Sequence, residues 1–166
     1  MVALLANIAA FGQVSGALRG MTSAIPAAPT ITILPAASGA LLRRQGAGSA
    51  SLDLGRVAYF SGTSALGASS RNISGALVIS TRFGLRVDCP GNSASSKVNV
   101  TMSRLDAAPS HAITIDGTKV RSEAQMLVQS MPCGSGGEHR IEVEVPASTP
   151  AGAIGSTVAF EATLNR

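Results

Sequence analysis

Residues 82–90 read RFGLRVDCP, and their alternation decides the fold class. Phe83, Leu85, Val87 and Cys89 occupy every second position, and the other positions hold Gly84 and the charged residues Arg82, Arg86 and Asp88. A period of two is that of a half-buried β-strand, whose apolar side chains face a core while its charged side chains face water. The stretch therefore predicts a central core strand of an all-β domain.

The predicted strand ends at one of only two cysteines in the chain, Cys89 and Cys133. A bridge between them would close a loop of about 45 residues, and the chain-entropy argument gives it roughly 3–4 kcal/mol of stabilisation. Such a bridge indicates an oxidising compartment. The alternative is a pair of free, buried thiols, which would fit a cytosolic protein. We expect the disulfide.

Short alternating segments recur through residues 49–166, and turn residues separate them. Asp116-Gly117 predicts a hairpin turn, and Gly55 predicts a bulge or bend in the strand around it. Residues 124–131 (AQMLVQSM) fit either a helix or a strand, and their brevity favours a strand that ends at the disulfide. We predict an Ig-like two-sheet antiparallel sandwich of about 8 strands, with a jelly roll as the alternative.

The N-terminal part of the chain differs in composition from this β-domain. Residues 1–11 (MVALLANIAAF) are apolar and uncharged, and their length is that of the apolar core of a signal peptide. We predict an export leader over residues 1–24, with a short helix or strand of the mature fold as the alternative. The run is too short for a transmembrane helix, so we expect no membrane span in the mature chain.

Residues 25–48 are rich in proline, alanine and glycine, and we interpret them as an arm and linker. Within them, residues 30–35 (TITILP) alternate, with Ile31 and Ile33 as the apolar positions. Prolines stand on both sides of this alternation, and proline lacks the amide donor that a paired strand needs. The segment therefore predicts an edge strand or a free arm.

No motif indicates catalysis, and we predict that the chain is not an enzyme and holds no metal or cofactor. The two histidines, His111 and His139, do not stand at ligand spacing from other ligands, whereas zinc needs three or four. Glu142 and Glu144 would lie about 7 Å apart on one strand face, a separation compatible with the carboxylate pair of an inverting glycosidase. No aromatic residue is available to stack a sugar ring, so we expect a solvated strand face instead.

The net charge of +4 does not predict a nucleic-acid partner. The basic residues are scattered along the chain, and only Arg43-Arg44 are adjacent. Nucleic-acid binders cluster their basic residues and add aromatic side chains for stacking, but aromatics are 3% of this chain. We expect no nucleic-acid binding.

Two segments carry a resemblance to a known family. Residues 145–152 (VPASTPAG), followed by residues 157–164 (TVAFEATL), resemble the end of bacterial fimbrial subunits, in particular the archaic chaperone–usher and spore-coat-U-like group. In that group a P-A-G turn precedes the last alternating strand. Residues 52–57 (LDLGRV) are similar to the L-x-F-G-x-V opening strand of such domains. The aromatic residue that commonly follows the turn is replaced here by Ala153-Ile154.

The resemblance implies an exported pilus subunit that folds as an incomplete sandwich and polymerises by donor-strand exchange, a form of β-augmentation. The donor arm would insert Ile31 and Ile33 into a groove lined partly by Val158, Phe160 and Leu164. The implied partners are other copies of the chain or related fibre subunits, and a periplasmic chaperone. The implied route runs from the periplasm to the cell surface.

Other functions fit the same predicted fold. The main alternative is a monomeric secreted Ig-like module for binding or adhesion, followed by a viral or phage capsid-type β protein. The position of residues 30–35 discriminates between the first two. A segment that lies free, or pairs only with another copy, favours the fibre subunit, whereas a segment in its own sheet favours the monomeric module.

Overall fold

A computed structural model describes residues 2–9, 28–36, 41–46, 49–57, 68–90, 96–106, 110–150 and 153–165. For residues 2–9, 41–46 and 49–57 it gives strands and their pairing only. The strands are β1 (Val2–Ala9), β2 (Thr30–Pro35), β3 (Leu41–Gly46), β4 (Ser49–Val57), β5 (Ser69–Ile73), β6 (Ala76–Asp88), β7 (Lys97–Arg104), β8 (Ala112–Ile115), β9 (Thr118–Lys119), β10 (Gln125–Pro132), β11 (Gly136–Pro146) and β12 (Ala153–Leu164). These ranges contain no helix, and hence none that could cross a membrane. The rest of the predicted leader, residues 10–24, and residues 151–152 of the P-A-G turn lie outside the described residues.

The strands form two sheets. The first sheet has the order β10-β7-β12-β1-β4-β3, and the second has the order β2-β6-β11-β8-β9 with β5 also paired to β6. The pairings are antiparallel except that of β1 with β12, which is parallel. The predicted all-β, Ig-like two-sheet sandwich with one disulfide is confirmed.

The segment RFGLRVDCP provides the second half of β6, an interior strand of the second sheet. Phe83, Leu85 and Val87 are fully buried, and Arg82 and Arg86 are exposed, as the alternation predicts. One side of β6 pairs with β11, and the other pairs with β5 and then with β2. Hydrogen-bonding partners on both sides make β6 an interior strand of its sheet, whereas the middle strand is β11.

The core lies between the two sheets and consists mainly of isoleucine, valine and leucine. Phe83 of the second sheet packs against Phe160 of the first, with 5.8 Å between ring centroids. Such β-branched and aliphatic side chains pack well on pleated surfaces. The contact between the two phenylalanines shows that the inner faces of the sheets share one core.

The local predictions for turns and strands agree with the structure. Asp116 and Gly117 have φ values of 49° and 80° and join β8 to β9, the backbone conformation of a tight hairpin turn. The pairing of β1 with β4 shifts register next to Gly55, which agrees with the predicted bulge or bend. Residues 125–132 form the strand β10 rather than a helix.

The disulfide joins the two sheets at one end of the sandwich. Cys89, just after β6, is bonded to Cys133, in the turn between β10 and β11, with 5.5 Å between their Cα atoms. The amide of Cys133 donates to the carbonyl of Ser96 at 3.0 Å, immediately before β7. We call this region, Cys89, Cys133 and Ser96, the disulfide end.

Candidate functional site: the groove beside β12

β12 receives different partners along its length. Its pairing with β7 runs from Val158 to Leu164, and its pairing with β1 runs from Ala153 to Ala159. The two pairings overlap only at residues 158 and 159. The first half of β12 therefore depends on β1 for its strand pairing, and the second half depends on β7.

The three residues predicted to line an acceptor groove share one face of β12. Val158 and Phe160 are each 1% exposed and belong to the core. Leu164 lies near the end of the strand and is 37% exposed. The alternation of the sequence thus places all three on the inner side of the first sheet, at decreasing depth.

β1 occupies the position between β12 and β4. The register sets Leu4, Ala6 and Ile8 opposite Ile154, Ser156 and Val158. Without β1, the sheet order would separate into β10-β7-β12 and β4-β3. Residues 2–9, which carry much of the predicted leader, are here a strand of the fold, as in the alternative weighed for them. Their removal would leave a gap one strand wide beside β12.

The predicted donor residues lie in a different sheet from this groove. Ile31 and Ile33 belong to β2, opposite Val87 and Leu85 of β6, and they are 6% and 4% exposed. They therefore contribute to the core of their own chain. By the criterion stated for residues 30–35, this position favours a module that is complete within one chain.

A buried polar cluster lies where β7 ends, on the inner side of the first sheet. Arg104 stands opposite Val158 and is 6% exposed. Its Nε donates to Oδ2 of Asp106 at 3.0 Å, and its Nη1 donates to the carbonyl of His111 at 2.8 Å. Its Nη2 lies 3.0 Å from Nε2 of His111. We call Arg104, Asp106, His111 and Ser156 the polar end.

Asp106 connects this cluster to β12. One carboxylate oxygen accepts from the hydroxyl of Ser156, and the other accepts from the amide of Thr157 at 2.9 Å. Burial by itself would raise the pKa of Asp106. The hydrogen bonds from Ser156, Thr157 and Arg104 outweigh burial and hold that pKa below its ordinary value of 3.8. Asp106 is therefore a carboxylate at neutral pH.

His111 is held in its neutral form. A guanidinium only donates hydrogen bonds, so Nε2 of His111 must accept from Arg104 and the ring proton must sit on Nδ1. Burial, and then the charge of Arg104, lower the pKa of His111 below 6.5, and Asp106 acts in the opposite direction. Nδ1 is buried without a partner among the described residues. Because Arg104 occupies Nε2, this nitrogen is not free to activate the hydroxyl of Ser156 as a general base would.

The sequence contains the pattern that would have revealed this cluster. Val98, Val100 and Met102 alternate along β7 with every second side chain buried, and Arg104 is the next position in that series. An arginine on the apolar phase of a strand needs buried partners, because an unpaired charge in a core is costly. Asp106, His111 and Ser156 carry no comparable local pattern, since the fold brings them together from three different segments.

Of the remaining candidates from the sequence, Glu142 and Glu144 lie on the outer face of the second sheet, whereas His139 is 7% exposed and packs against Phe83 on the inner face. Glu142 pairs with Arg71 at 3.1 Å and with Arg140 at 2.8 Å, and together with Glu144 it borders a shallow cavity. Nδ1 of His139 lies 2.7 Å from Asp116. Within the described ranges, no group of three or more histidine, cysteine or acidic residues is placed to hold a metal ion.

No protein-family model matches the sequence, and a search of curated proteins finds no match. The fold itself defines the class of the chain as a disulfide-linked two-sheet β-sandwich.

Proposed function

We propose that this chain is an exported structural subunit of a surface fibre and that it polymerises by donor-strand exchange. In this proposal residues 1–24 are removed during export. A strand from another copy, or from a related fibre subunit, then takes the place of β1 between β12 and β4. A periplasmic chaperone would protect the open position before assembly.

The observation that supports the proposal is the position of β1. The segment whose composition predicts an export leader is also the segment that links β12 to β4. Its loss would expose unpaired backbone groups along two strand edges at once. Open strand edges are templates for pairing with another chain, so the gap would favour insertion of a donor strand.

The floor of that gap is apolar. Val158 and Phe160 are buried on the inner face of β12, and Ile154 is 6% exposed on the same face. A donor strand with apolar residues at alternate positions would complete the core there as well as the hydrogen bonding. Burial of each large aliphatic side chain contributes about 1.5–3 kcal/mol, which makes an inserted strand slow to leave.

The predicted donor segment is part of the fold of its own chain. Ile31 and Ile33 are core residues beside β6, so residues 30–35 would have to leave β6 before they could serve another copy. Deletion of that segment would also remove core residues of the chain itself. It is therefore a poor test of assembly, and the test belongs on residues 2–9.

The experiment compares the full chain with a chain that starts at residue 25, both produced without export and refolded under oxidising conditions, so that residues 2–9 stay in the full chain. We expect the full chain to be monomeric by light scattering, and the shorter chain to form multimers that resist detergent until heated. A synthetic peptide of residues 2–9 should block these multimers, and a peptide with the same composition in scrambled order should not. The proposal would be refuted if the shorter chain were a stable monomer that does not bind the peptide of residues 2–9.

A second function is favoured by a separate observation. Both β1 and β2 pair within their own chain, which is what a monomeric secreted Ig-like module for binding or adhesion requires. This alternative gains if the exported protein retains residues 2–9 and remains monomeric. The mass and the oligomeric state of the exported protein therefore decide between the two functions.

A further inference from the structure

The first half of β12 has no paired strand on the side away from β1 among the described residues. The pairing with β7 stops at Val158, opposite Arg104. Beyond that point Leu105 donates its amide to the carbonyl of Thr157 at 3.0 Å, and Asp106 accepts from the amide of Thr157 at 2.9 Å. Among the described residues, these bonds and that of Ser156 to Asp106 continue the attachment of β12 where the strand pairing has ended.

We propose that the polar end is a pH-sensitive brace for β12: while His111 is neutral it holds the first half of the strand in register for an incoming strand, and protonation of His111 releases it. This inference rests on the proposed function, since it concerns the same groove. It assigns Asp106 as a positioning residue for strand acceptance, and Arg104 and His111 as the groups that hold Asp106 in place.

The hydrogen bonding of His111 explains why protonation should weaken the brace. In the neutral ring, Nε2 of His111 accepts from Arg104 across 3.0 Å. A protonated ring has donors on both nitrogens, so Nε2 and the guanidinium would face each other as two donors that are also two like charges. Both side chains are buried, and burial strengthens this repulsion.

The surroundings of His111 contain few groups that could offset this effect. Arg104 of β7 and Asp106 after β7 are the charged groups that act on the ring among the described residues. Ser156 and Thr157 of β12, which contact Asp106, are neutral. Asp106 would attract a protonated ring, but its effect on His111 is smaller than those of burial and Arg104. Protonation therefore pulls Asp106 away from its bonds to β12 or drives Arg104 out of the cluster.

Hydrogen exchange of the β12 amides, measured by mass spectrometry on the full chain, tests the brace. After correction for intrinsic exchange rates, we expect protection of the Thr157 region to fall as the pH drops below 6.5. One linked proton changes an opening equilibrium by up to about tenfold per pH unit. The variant His111→Gln keeps an acceptor for Arg104 and does not titrate, so its protection should not change over the same pH range. An equal acid response in His111→Gln would overturn the proposal.

Two further measurements keep the test decisive. Asp106→Asn removes the charge that binds Thr157, and it should lower protection of the same region at neutral pH already. If His111→Gln does not fold, an NMR titration of the unaltered chain replaces it. The Thr157 amide shift must then follow the titration of His111, and an amide that is insensitive to that titration contradicts the brace. Hydrogen exchange and NMR are measured on the single chain. A chain that never assembles would therefore refute the proposed function without contradicting the brace.

Discussion

The chain contains the same pair twice, an arginine followed two residues later by an aspartate, in opposite surroundings. Arg86 and Asp88 lie beside the disulfide end, with 2.9 Å between Nη2 and Oδ1, and their side chains are 50% and 46% exposed. Arg104 and Asp106 lie at the polar end, with 3.0 Å between Nε and Oδ2, and their side chains are 5% and 25% exposed. The chemistry is the same, and the phase of the strand decides which pair is solvated and which is part of the core.

Arg86–Asp88 at the end of β6 and Arg104–Asp106 at the end of β7 stand next to two regions that close the sandwich in different ways. At the disulfide end, a covalent bond joins the sheets. The Arg86–Asp88 ion pair beside it is exposed, so it adds little to the stability of this end. At the polar end, charges and hydrogen bonds hold β12 against the end of β7. We infer that the disulfide end responds to reductant and that the polar end responds to acid.

The largest effect is expected from removing the disulfide. Replacing Cys89 and Cys133 together by serine should lower the free energy of unfolding by about 3–4 kcal/mol, because the unfolded chain regains the entropy of the open loop. Urea denaturation measures this loss. Reductant should cause a similar loss in the unaltered chain and none in the double variant. A double variant as stable as the parent would contradict the claim that the disulfide stabilises this end of the sandwich.

At the polar end, Asp106→Asn should cost about 2–3 kcal/mol, since hydrogen bonds to a charged group are worth about 1.5–3 kcal/mol and Arg104 would lose its counter-charge in the core. Urea denaturation at neutral pH checks the value. The matched control is the same substitution in the exposed pair, Asp88→Asn. Equal losses at the two sites would show that burial does not separate the two pairs.

The next effect in size is the pH dependence of the free energy of unfolding, which we expect from the polar end and not from the disulfide end. The lowered pKa of His111 means that its contribution is complete above pH 6.5 and is lost as the pH falls through the folded pKa. The expected slope is at most about 1.4 kcal/mol per pH unit. Asp106 acts in a lower range, because its lowered pKa makes its contribution complete above pH 3.8 and lost only below that value. Denaturation of His111→Gln should show a flatter profile below pH 6.5, and an unchanged profile would contradict this assignment.

The smallest effect is expected at the exposed pair. Asp88→Asn should change the free energy of unfolding by at most about 1 kcal/mol, because surface ion pairs are weak and are screened by salt. Denaturation at low and high salt measures this. The loss should shrink further at high salt. A cost above that of Asp106→Asn would reverse the order of the two pairs.

Much of the fold followed from the sequence because strand alternation is a local property. The buried set around Phe83 and the hairpin at Asp116-Gly117 each depend on a few neighbouring residues, and the disulfide follows because the chain has only two cysteines. The polar end could be predicted only in part. Continuing the alternation of β7 by one more position places Arg104 in the core, but no local pattern joins it to His111.

The pairing of the N-terminal strands could not be predicted from alternation. Residues 30–35 read equally well as a free arm and as an edge strand, and the structure places them as the edge strand β2 beside β6. Residues 2–9 lack charge, which suits both a leader and a buried strand. Their parallel pairing with β12 joins segments some 150 residues apart, and composition does not encode such a contact.

The central claim is that the exported chain lacks the strand that closes its first sheet. Mass spectrometry of the intact exported protein, before and after reduction, tests it most directly. We predict a chain without residues 2–9, recovered in multimers, whose mass increases by that of two hydrogen atoms when the bond between Cys89 and Cys133 is reduced. A monomer that still carries residues 2–9 would contradict the claim.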